Sequence, residues 1–568
     1  MKYYSQLAVI VAITGLLHPL NAQPAPDVIL QEGNSLPRLQ LLTKQSSQLA
    51  ADTRIGTGAY CPYGMWNIPD WEDILGDLTN LGVKRVTTSL PANEPPIIWD
   101  RPEDEFTQNY DLFIDGLIDN GVAVNYLIHF WDKAGHARGE ELSTPRFKTA
   151  DQVEDFLDYV RLIVSHYKGR AEYYTIWSEP DNCLGDQIKC IEPNDYINLA
   201  RETIPVIREV DSLAKVALAP NVIYFDREYL FTVLRSDVIT MFDVIQWHGI
   251  YDVLPNSEFY GNYYYEYPAL IEEIIQIASD HGFHGEYWGT ELTWCPEGYL
   301  DCHPPDQPWG QPKTDKQAAK YYSRAIPMQL GMDVGVGTKP FELPNKPWTY
   351  STIQNLFTLM VGTIPASLTV NIESEATNIM SYGFTLPNGD RLFALWTNGE
   401  AVDDDPGVST TLTFTGLSAQ KVVGIDVLNG FEQQLITSDE DSNLVINGLL
   451  VKDYAIIVRF SSEIETSVQS DVVEIPTKYS LYQNFPNPFN PTAAIRFDLP
   501  QAAHMNLVVY DILGREVARL VDGYVEPGYH QLLWDGRNVG GRQVPSGIYI
   551  ARMVAPEYSK SIKMLLLR

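Results

Sequence analysis

The chain has 568 residues, 45% of them hydrophobic, and a net charge of −33. That length and composition describe a globular protein of two to four domains rather than a disordered or fibrous one. So acidic a surface repels a phosphate backbone, which argues against nucleic acid as a partner.

Residues 1–22 read as a secretory signal peptide. Lys2 supplies the basic start, residues 7–17 an apolar core, and Leu20-Asn21-Ala22 a small-residue cleavage site before Gln23. That run is too short to cross a bilayer, and no later segment approaches about 20 apolar residues, so no membrane span is expected. Residues 23–53 form a lead segment.

From residue 54 to 369, runs with strand character alternate with amphipathic helical stretches. Strands are expected at 55–59, 83–89, 122–129, 173–178, 215–220, 244–248, 286–291 and 333–338. Helices are expected at 151–167, 196–213, 269–281, 316–329 and 351–361. Eight such units predict an α/β fold, a (β/α)8 TIM barrel. Gly56-Thr57-Gly58 lacks the rest of a dinucleotide-binding fingerprint, so an open doubly wound sheet is not expected.

Two carboxylates stand out in this pattern. Glu179 follows strand four in Trp177-Ser178-Glu179-Pro180-Asp181, and Glu291 closes strand seven in Tyr287-Trp288-Gly289-Thr290-Glu291. Acids at the carboxyl ends of two strands on opposite sides of a barrel mouth are what a retaining glycosidase needs. Glu286 opens strand seven, so at about 3.3 Å per residue it falls at the other end of the barrel.

Export makes the cysteines readable. Cys183 and Cys190 flank a loop after Glu179, and Cys295 and Cys302 flank one of equal spacing after Glu291. Two local disulfides stapling the loops beyond the acids are the economical reading. A zinc site from the same four thiols is the alternative, disfavoured by the spacing. Cys61 is left over, as a buried free thiol.

Trp177, Trp247, Trp288 and Trp294 fall at or near the mouth, where indole faces stack on sugar rings; alternation sends some of them into helix packing instead. His129 and Asp132, after strand three, are candidates for a sugar hydroxyl or for loop capping. The tyrosines of residues 260–267 read as a cleft wall or a self-packed loop.

Residues 370–460 change texture to short strands with Asn-Gly turns at Asn388-Gly389, Asn429-Gly430 and Asn447-Gly448, which predicts a β-sandwich. Residues 461–478 are a polar linker. Residues 479–568 carry nine Lys/Arg against seven Asp/Glu, a charge of +2 that leaves −35 on the rest. Their strand-like runs, split by Gly and Pro turns, predict an immunoglobulin-like β-sandwich.

The strand-four motif Trp177-Ser178-Glu179-Pro180 resembles the Trp-Asn-Glu-Pro motif of clan A glycoside hydrolases, and Gly289-Thr290-Glu291 resembles their strand-seven nucleophile segment. The flavour is that of families 39 and 5, and the layout matches over residues 54–367. The resemblance implies a retaining O-glycoside hydrolase with Glu179 as acid/base and Glu291 as nucleophile. It makes His248 and Tyr251 candidate partners of the nucleophile, with a satisfied structural histidine the alternative for His248, and the substrate a β-linked carbohydrate handled without cofactor or metal. For that cycle Glu179 is expected to carry a raised pKa. Ser178 departs from the pattern: where the clan has an amide for the sugar 2-hydroxyl, this chain has a hydroxyl. A non-catalytic glycan-binding protein on the same scaffold is the rival reading. It explains the aromatics but does not require both acids.

The tail carries a second resemblance, in the run Leu481 to Pro491, in Pro545-Ser546-Gly547-Ile548-Tyr549 and in the closing Lys563-Met564-Leu565-Leu566-Leu567. These are similar to the C-terminal sorting domain of type IX secretion cargo. The likeness implies an outer-membrane translocon as partner and a bacterial protein that is released or attached at the cell surface. A carbohydrate-binding sandwich is the alternative for this segment; it would want a row of exposed aromatics, and Trp534 is the tail's one tryptophan.

Overall fold

The computed structural model describes residues 29–60, 71–89, 108–128, 147–182, 190–224, 226–255, 257, 260–295, 313–338, 346–417, 419, 421–440, 443–461, 478–484, 487, 489, 493–525, 528–534, 536–538, 542–556 and 558–567. They fall into two compact units, Ile29–Ile464 and one containing Glu465–Arg568. The expected signal peptide and most of the linker lie outside the described residues.

The first unit holds a parallel barrel of eight strands: β1 (Ile55–Tyr60), β2 (Arg85–Thr88), β3 (Ala123–Ile128), β4 (Tyr173–Ile176), β5 (Lys215–Ala217), β6 (Val244–His248), β7 (Glu286–Leu292) and β8 (Gly335–Thr338). Each is followed by a helix: α1 (Trp71–Leu81), α2 (Gln108–Asp119), α3 (Ala150–Tyr167), α4 (Pro193–Val210), α5 (Arg227–Leu234), α6 (Tyr263–Asp280), α7 (Asp315–Gly331) and α8 (Pro347–Met360). The ring closes where β8 pairs with β1, Val336 opposite Ile55, and where Ala217 of β5 meets Val244 of β6. All eight expected strands are present. The helices α1, α2 and α5 fill gaps between expected strands to which no helix bounds were assigned.

Local chemistry sets the helix starts. Thr149 and Thr314 cap α3 and α7 through reciprocal bonds with Gln152 and Gln317, Asp226 caps α5, and Pro193 and Pro347 occupy first turns whose N–H groups need no partner. The tyrosine run was expected to be a loop, yet Tyr263–Tyr267 open α6, with Tyr267 fully buried. Tertiary packing outweighs the modest helix propensity of tyrosine.

The barrel interior is layered. At its floor Glu286 takes hydrogen bonds from Tyr173 Oη (3.1 Å), Lys215 Nζ (3.1 Å) and Trp288 Nε1 (3.2 Å), and the Arg85 guanidinium lies 3.7 Å from the Trp288 ring centre. Glu286 is therefore a structural acid at the end away from the mouth, as its place in the strand predicts. Above it Thr87, Asn125, Thr175 and Gln246 form a hydrogen-bonded chain.

A two-sheet sandwich packs against the barrel within the same unit. One sheet runs Arg38–Gln40, Phe431–Gln434, Lys421–Asp426, Ile456–Ser461, Arg391–Thr397, Ile379–Thr385 and Ile364–Pro365, and the other Val370–Ser374, Val408–Thr415, Asn443–Val451 and Ser438–Glu440. Two expectations need correction. The lead segment is not separate, because Arg38–Gln40 pairs with Phe431–Gln434. Asn447-Gly448 is not a turn but lies within a strand, as a bulge where the register shifts opposite Thr411 and Gly448 takes a φ of +68°.

Barrel and sandwich are joined through α7. Lys320 Nζ lies 2.6 Å from Asp453 Oδ1 with both side chains nearly inaccessible, Val402 N–H donates to the other carboxylate oxygen, and Arg324 Nε donates to the Asp453 carbonyl. Burial lowers the Lys320 pKa and the facing carboxylate opposes that shift.

The tail unit has its own core. A sheet of Ser480–Leu481, Ala493–Leu499 and Gly528–Trp534 and another of Glu516–Val525, Ala503–Asp511, Gly547–Ala555 and Tyr558–Leu566 enclose Trp534, which packs on Phe489 and Tyr549. Trp534 is 2% exposed, so it offers no platform to a sugar.

Asp453→Ala leaves Lys320 charged and unpaired in the interface. It should destabilise this unit by about 3–5 kcal/mol, read as a lower urea midpoint, and a loss under 1 kcal/mol would contradict the reading.

Candidate active site

Strand alternation carries Gln246 and His248 of β6 inward and turns Trp247 toward the helices. His248 pairs in register with Thr290 of β7, so the imidazole stands beside the strand that bears Glu291. His248 Nε2 is 3.5 Å from Glu179 Oε1 and 3.9 Å from Glu291 Oε1. One ligand atom from each of the three side chains lies within 4.8 Å of the others. His248 was expected against Glu291; it sits between the two acids and nearer Glu179.

The imidazole is oriented from behind. Thr290 Oγ1 donates to the Trp247 carbonyl at 3.0 Å, so its oxygen accepts from His248 Nδ1–H at 3.1 Å. A neutral ring then turns an unprotonated Nε2 toward the carboxyls.

Both acids sit on strained backbone. Glu179 has φ +47° and Glu291 φ +52°, and neighbouring Trp177 and Asp252 have φ +71° and +55°. Non-glycine residues in the left-handed region cost on the order of 1 kcal/mol or more each, and gather where a side chain must be aimed. The turn carrying Glu179 is anchored on every side. Glu179 N–H donates to Pro220 O (3.0 Å), Ile191 N–H to Pro180 O (2.9 Å), and Asn182 Nδ2 to Glu179 Oε2 (3.2 Å). Beyond Glu291, Thr293 N–H donates to Ile250 O and Asp252 N–H to Thr293 O, continuing the β6–β7 pairing past the mouth. A buried pair, Lys313 and Asp252, ties that extension to the segment before α7.

Several sequence candidates do not line a cleft. Trp177 is fully buried edge-on to Phe147 and Phe156, Trp247 is buried and donates to Tyr267 Oη, and Trp288 belongs to the barrel floor. Trp294 is 2% exposed, stacked on Tyr321 and bonded to Val253 O. The expectation that these indoles stack on substrate is corrected: Trp177, Trp247 and Trp294 are spent on packing outside the mouth and Trp288 on the barrel floor, so none has surface left for a sugar. Ser178 is buried next to Glu179, and Tyr251 is half-buried in a bridge with Thr293. His129, Asp132, Cys61, Cys183 and Cys302 lie outside the described residues. Cys190 and Cys295 are not free thiols; no disulfide has both ends among the described residues.

Sequence reasoning missed Tyr224, Asn182 and Thr290. Tyr224 follows the short strand Asn221–Val222 and packs edge-on against Tyr260 and Tyr263. Burial, then the fields of Tyr260, Glu179, Glu291 and Tyr251, hold its phenol proton well above the usual range, which sets it beside the acids. No spacing in the chain links Tyr224 to Glu291. Thr290 was legible only as a neighbour of Glu291.

Comparison with solved structures finds a family 39 glycoside hydrolase from the gut symbiont Bacteroides cellulosilyticus WH2, at 12% identity and TM-score 0.52, covering 74% of this chain and 83% of that one. A family 30 subfamily 8 xylanase from Clostridium acetobutylicum follows at 12% identity and TM-score 0.49 over 75% and 97% of the two chains. A bacterial orthologue of human α-L-iduronidase stands at 11% and 0.48 over 91% and 98%. At these identities the likeness is one of fold, and the family 39 structure shares the barrel. Residues 487–558 match the model of the FlgD Ig-like domain. Comparison with curated protein sequences finds no match.

Thr290→Val keeps the side chain's volume and removes the oxygen that orients His248. The ¹⁵N shifts of the wild-type imidazole should report an Nδ1–H ring whenever it is neutral, and the variant a mixture of tautomers. A neutral Nε2–H ring in the wild type would contradict this arrangement.

Proposed function

We propose that this chain is a secreted retaining O-glycoside hydrolase acting on a β-linked polysaccharide or its oligosaccharides. The observation that carries the reading is the approach of Glu179 and Glu291 from β4 and β7, with His248 between them. Retaining enzymes hold their two carboxyls about 5–5.5 Å apart, and inverting ones leave room for a water at about 6.5–9.5 Å. Contacts under 4.8 Å between the nearest atoms suit the shorter class.

In the proposed cycle Glu291 attacks the anomeric carbon while Glu179 gives its proton to the leaving oxygen. Glu179 then takes a proton from water, which displaces Glu291 and retains the anomeric configuration. The cycle needs Glu179 to start neutral as donor and Glu291 ionised as nucleophile. Ser178, in place of an amide, offers one hydroxyl where the clan's pattern has a longer polar group, so the 2-hydroxyl contact differs here. The glycan-binding rival loses its main support, since the four indoles it relies on are buried.

Export belongs to the same proposal. The signal peptide would direct the chain to the periplasm, and the tail would act as a type IX sorting domain read by an outer-membrane translocon. Disulfides Cys183–Cys190 and Cys295–Cys302 would form on the way.

On an aryl β-glycoside of the right sugar, Glu291→Gly should abolish turnover. Glu179→Ala should lose on the order of 10²–10⁴-fold on an unactivated glycan and recover on an activated one with azide. Product NMR should show the retained anomer. An active Glu291→Gly protein, or an inverted product, would refute the mechanism. Removing residues 479–568 should trap the protein in the periplasm of a type IX-competent host; unchanged export would remove the sorting role.

A further inference from the structure

Asp181, two residues past Glu179, has no part in the cycle above, yet its carboxyl is built into the turn that presents the acid. Its Oδ2 accepts the Val222 N–H at 2.7 Å. Its Oδ1 and Nδ2 of Asn221 are both sealed from solvent, and the Asn221 side chain, itself 1% exposed, favours the charged carboxyl. Val222 pairs in register with His248, and Asn221 with Trp247. The Glu179 N–H is held by Pro220 on the same segment. One carboxyl therefore links the turn of the acid/base to the segment 220–222, and through that segment to the strand end that carries the imidazole.

We infer that Asp181 is a positioning residue for the acid/base: it clamps the strained turn of Glu179, and its charge state governs how tightly Glu179 holds its proton. The kinetic half of this inference rests on the hydrolase reading above; the stability half does not. Glu179 on its own turn and Tyr229 on α5 are the titratable groups coupled to Asp181, while Asn221 and Val222 present amides. Burial pushes the Asp181 carboxyl up to about 7; the Val222 N–H, its own backbone N–H and the Asn221 side chain oppose that shift and the Glu179 charge adds to it. Below that pH Asp181 is neutral. The repulsion is mutual: whichever carboxyl ionises first opposes ionisation of the other, so a neutral side chain at 181 lowers the pH at which the pair gives up its last proton.

The sign for stability is fixed by linkage. A carboxyl whose folded pKa exceeds its unfolded value costs nothing below the unfolded pKa. The cost grows as pH rises from about 4 to about 7 and is constant above the folded pKa.

Asp181→Asn keeps an oxygen for the Val222 N–H and never ionises; Asp181→Ala removes the clamp. In Asp181→Asn the basic limb of kcat/KM should move down by about one pH unit. Its Tm advantage over wild type should grow between pH 4 and 7 and then level off. Asp181→Ala should lose about tenfold to a hundredfold in kcat/KM at every pH, as a displaced catalytic group does; should that variant not fold, Asp181→Asn carries the test. A kcat/KM profile for Asp181→Asn that superimposes on wild type overturns the inference. If the wild-type protein turns over no glycan, the hydrolase reading has failed on its own, and the Tm comparison decides. There, a difference that does not change between pH 4 and 7 overturns the inference.

Discussion

Closure of the parallel ring is the constraint on which everything else depends. Pairing of β8 with β1 and of β5 with β6 fixes the stagger of all eight strands, so the ends of β4 and β7 face one another across a mouth instead of lying apart along an open sheet. The layers below are filled: Trp288 and Glu286 at the floor, then the chain from Thr87 to Gln246. Polar groups that deep are tolerated because each is hydrogen-bonded to another. The floor gives β4 and β7 a rigid base, which is what lets two acids be held within ångströms of a histidine.

The mouth is where regular geometry is given up. Along β4 the alternation that points Tyr173 and Thr175 into the barrel breaks at Trp177, whose left-handed backbone accompanies a side chain packed against α3. Glu179 repeats the departure, as does Glu291 on the facing strand. Conformations of this kind persist only where neighbours over-determine them, and here they do: Pro220, Val222, Asn182 and Ile191 hold one turn, and Ile250, Asp252 and Lys313 hold the extension beyond the other. The local rules of sequence and structure fail together at the one place where chemistry is proposed, as expected when stability is traded for side-chain aim.

The sandwich is a brace for the barrel rather than an appended module. It takes a strand from before the barrel, Arg38–Gln40, and grips α7 through the buried Lys320–Asp453 pair. Gln329 of α7 lies against Gly289 of β7, so the brace backs the strand that bears Glu291. The tail unit is different in kind, with a core of its own around Trp534, and residues 479–568 carry a charge of opposite sign to the rest. A unit that satisfies its own core can serve a separate purpose and be lost without unfolding what precedes it.

By itself the sequence determined the eight strand–helix units, the strand ends that bear Glu179 and Glu291, the floor position of Glu286 and the immunoglobulin-like character of the tail. Those features are written in short-range periodicity, in turn residues and in motif spacing, which local sterics and burial read directly. Only the tertiary structure decided which way the aromatics face. Trp177, Trp247, Trp288 and Trp294 look alike as mouth residues in one dimension, and strand twist, helix packing and the left-handed turns bury all four. It likewise decided that the 38–40 segment belongs to the sandwich, that Asn447-Gly448 is a bulge, and that Tyr224, Asn182, Thr290 and Asp181 surround the acids. Each of these depends on contacts between segments far apart in the chain, where no local preference carries information and the closed ring alone sets the distances.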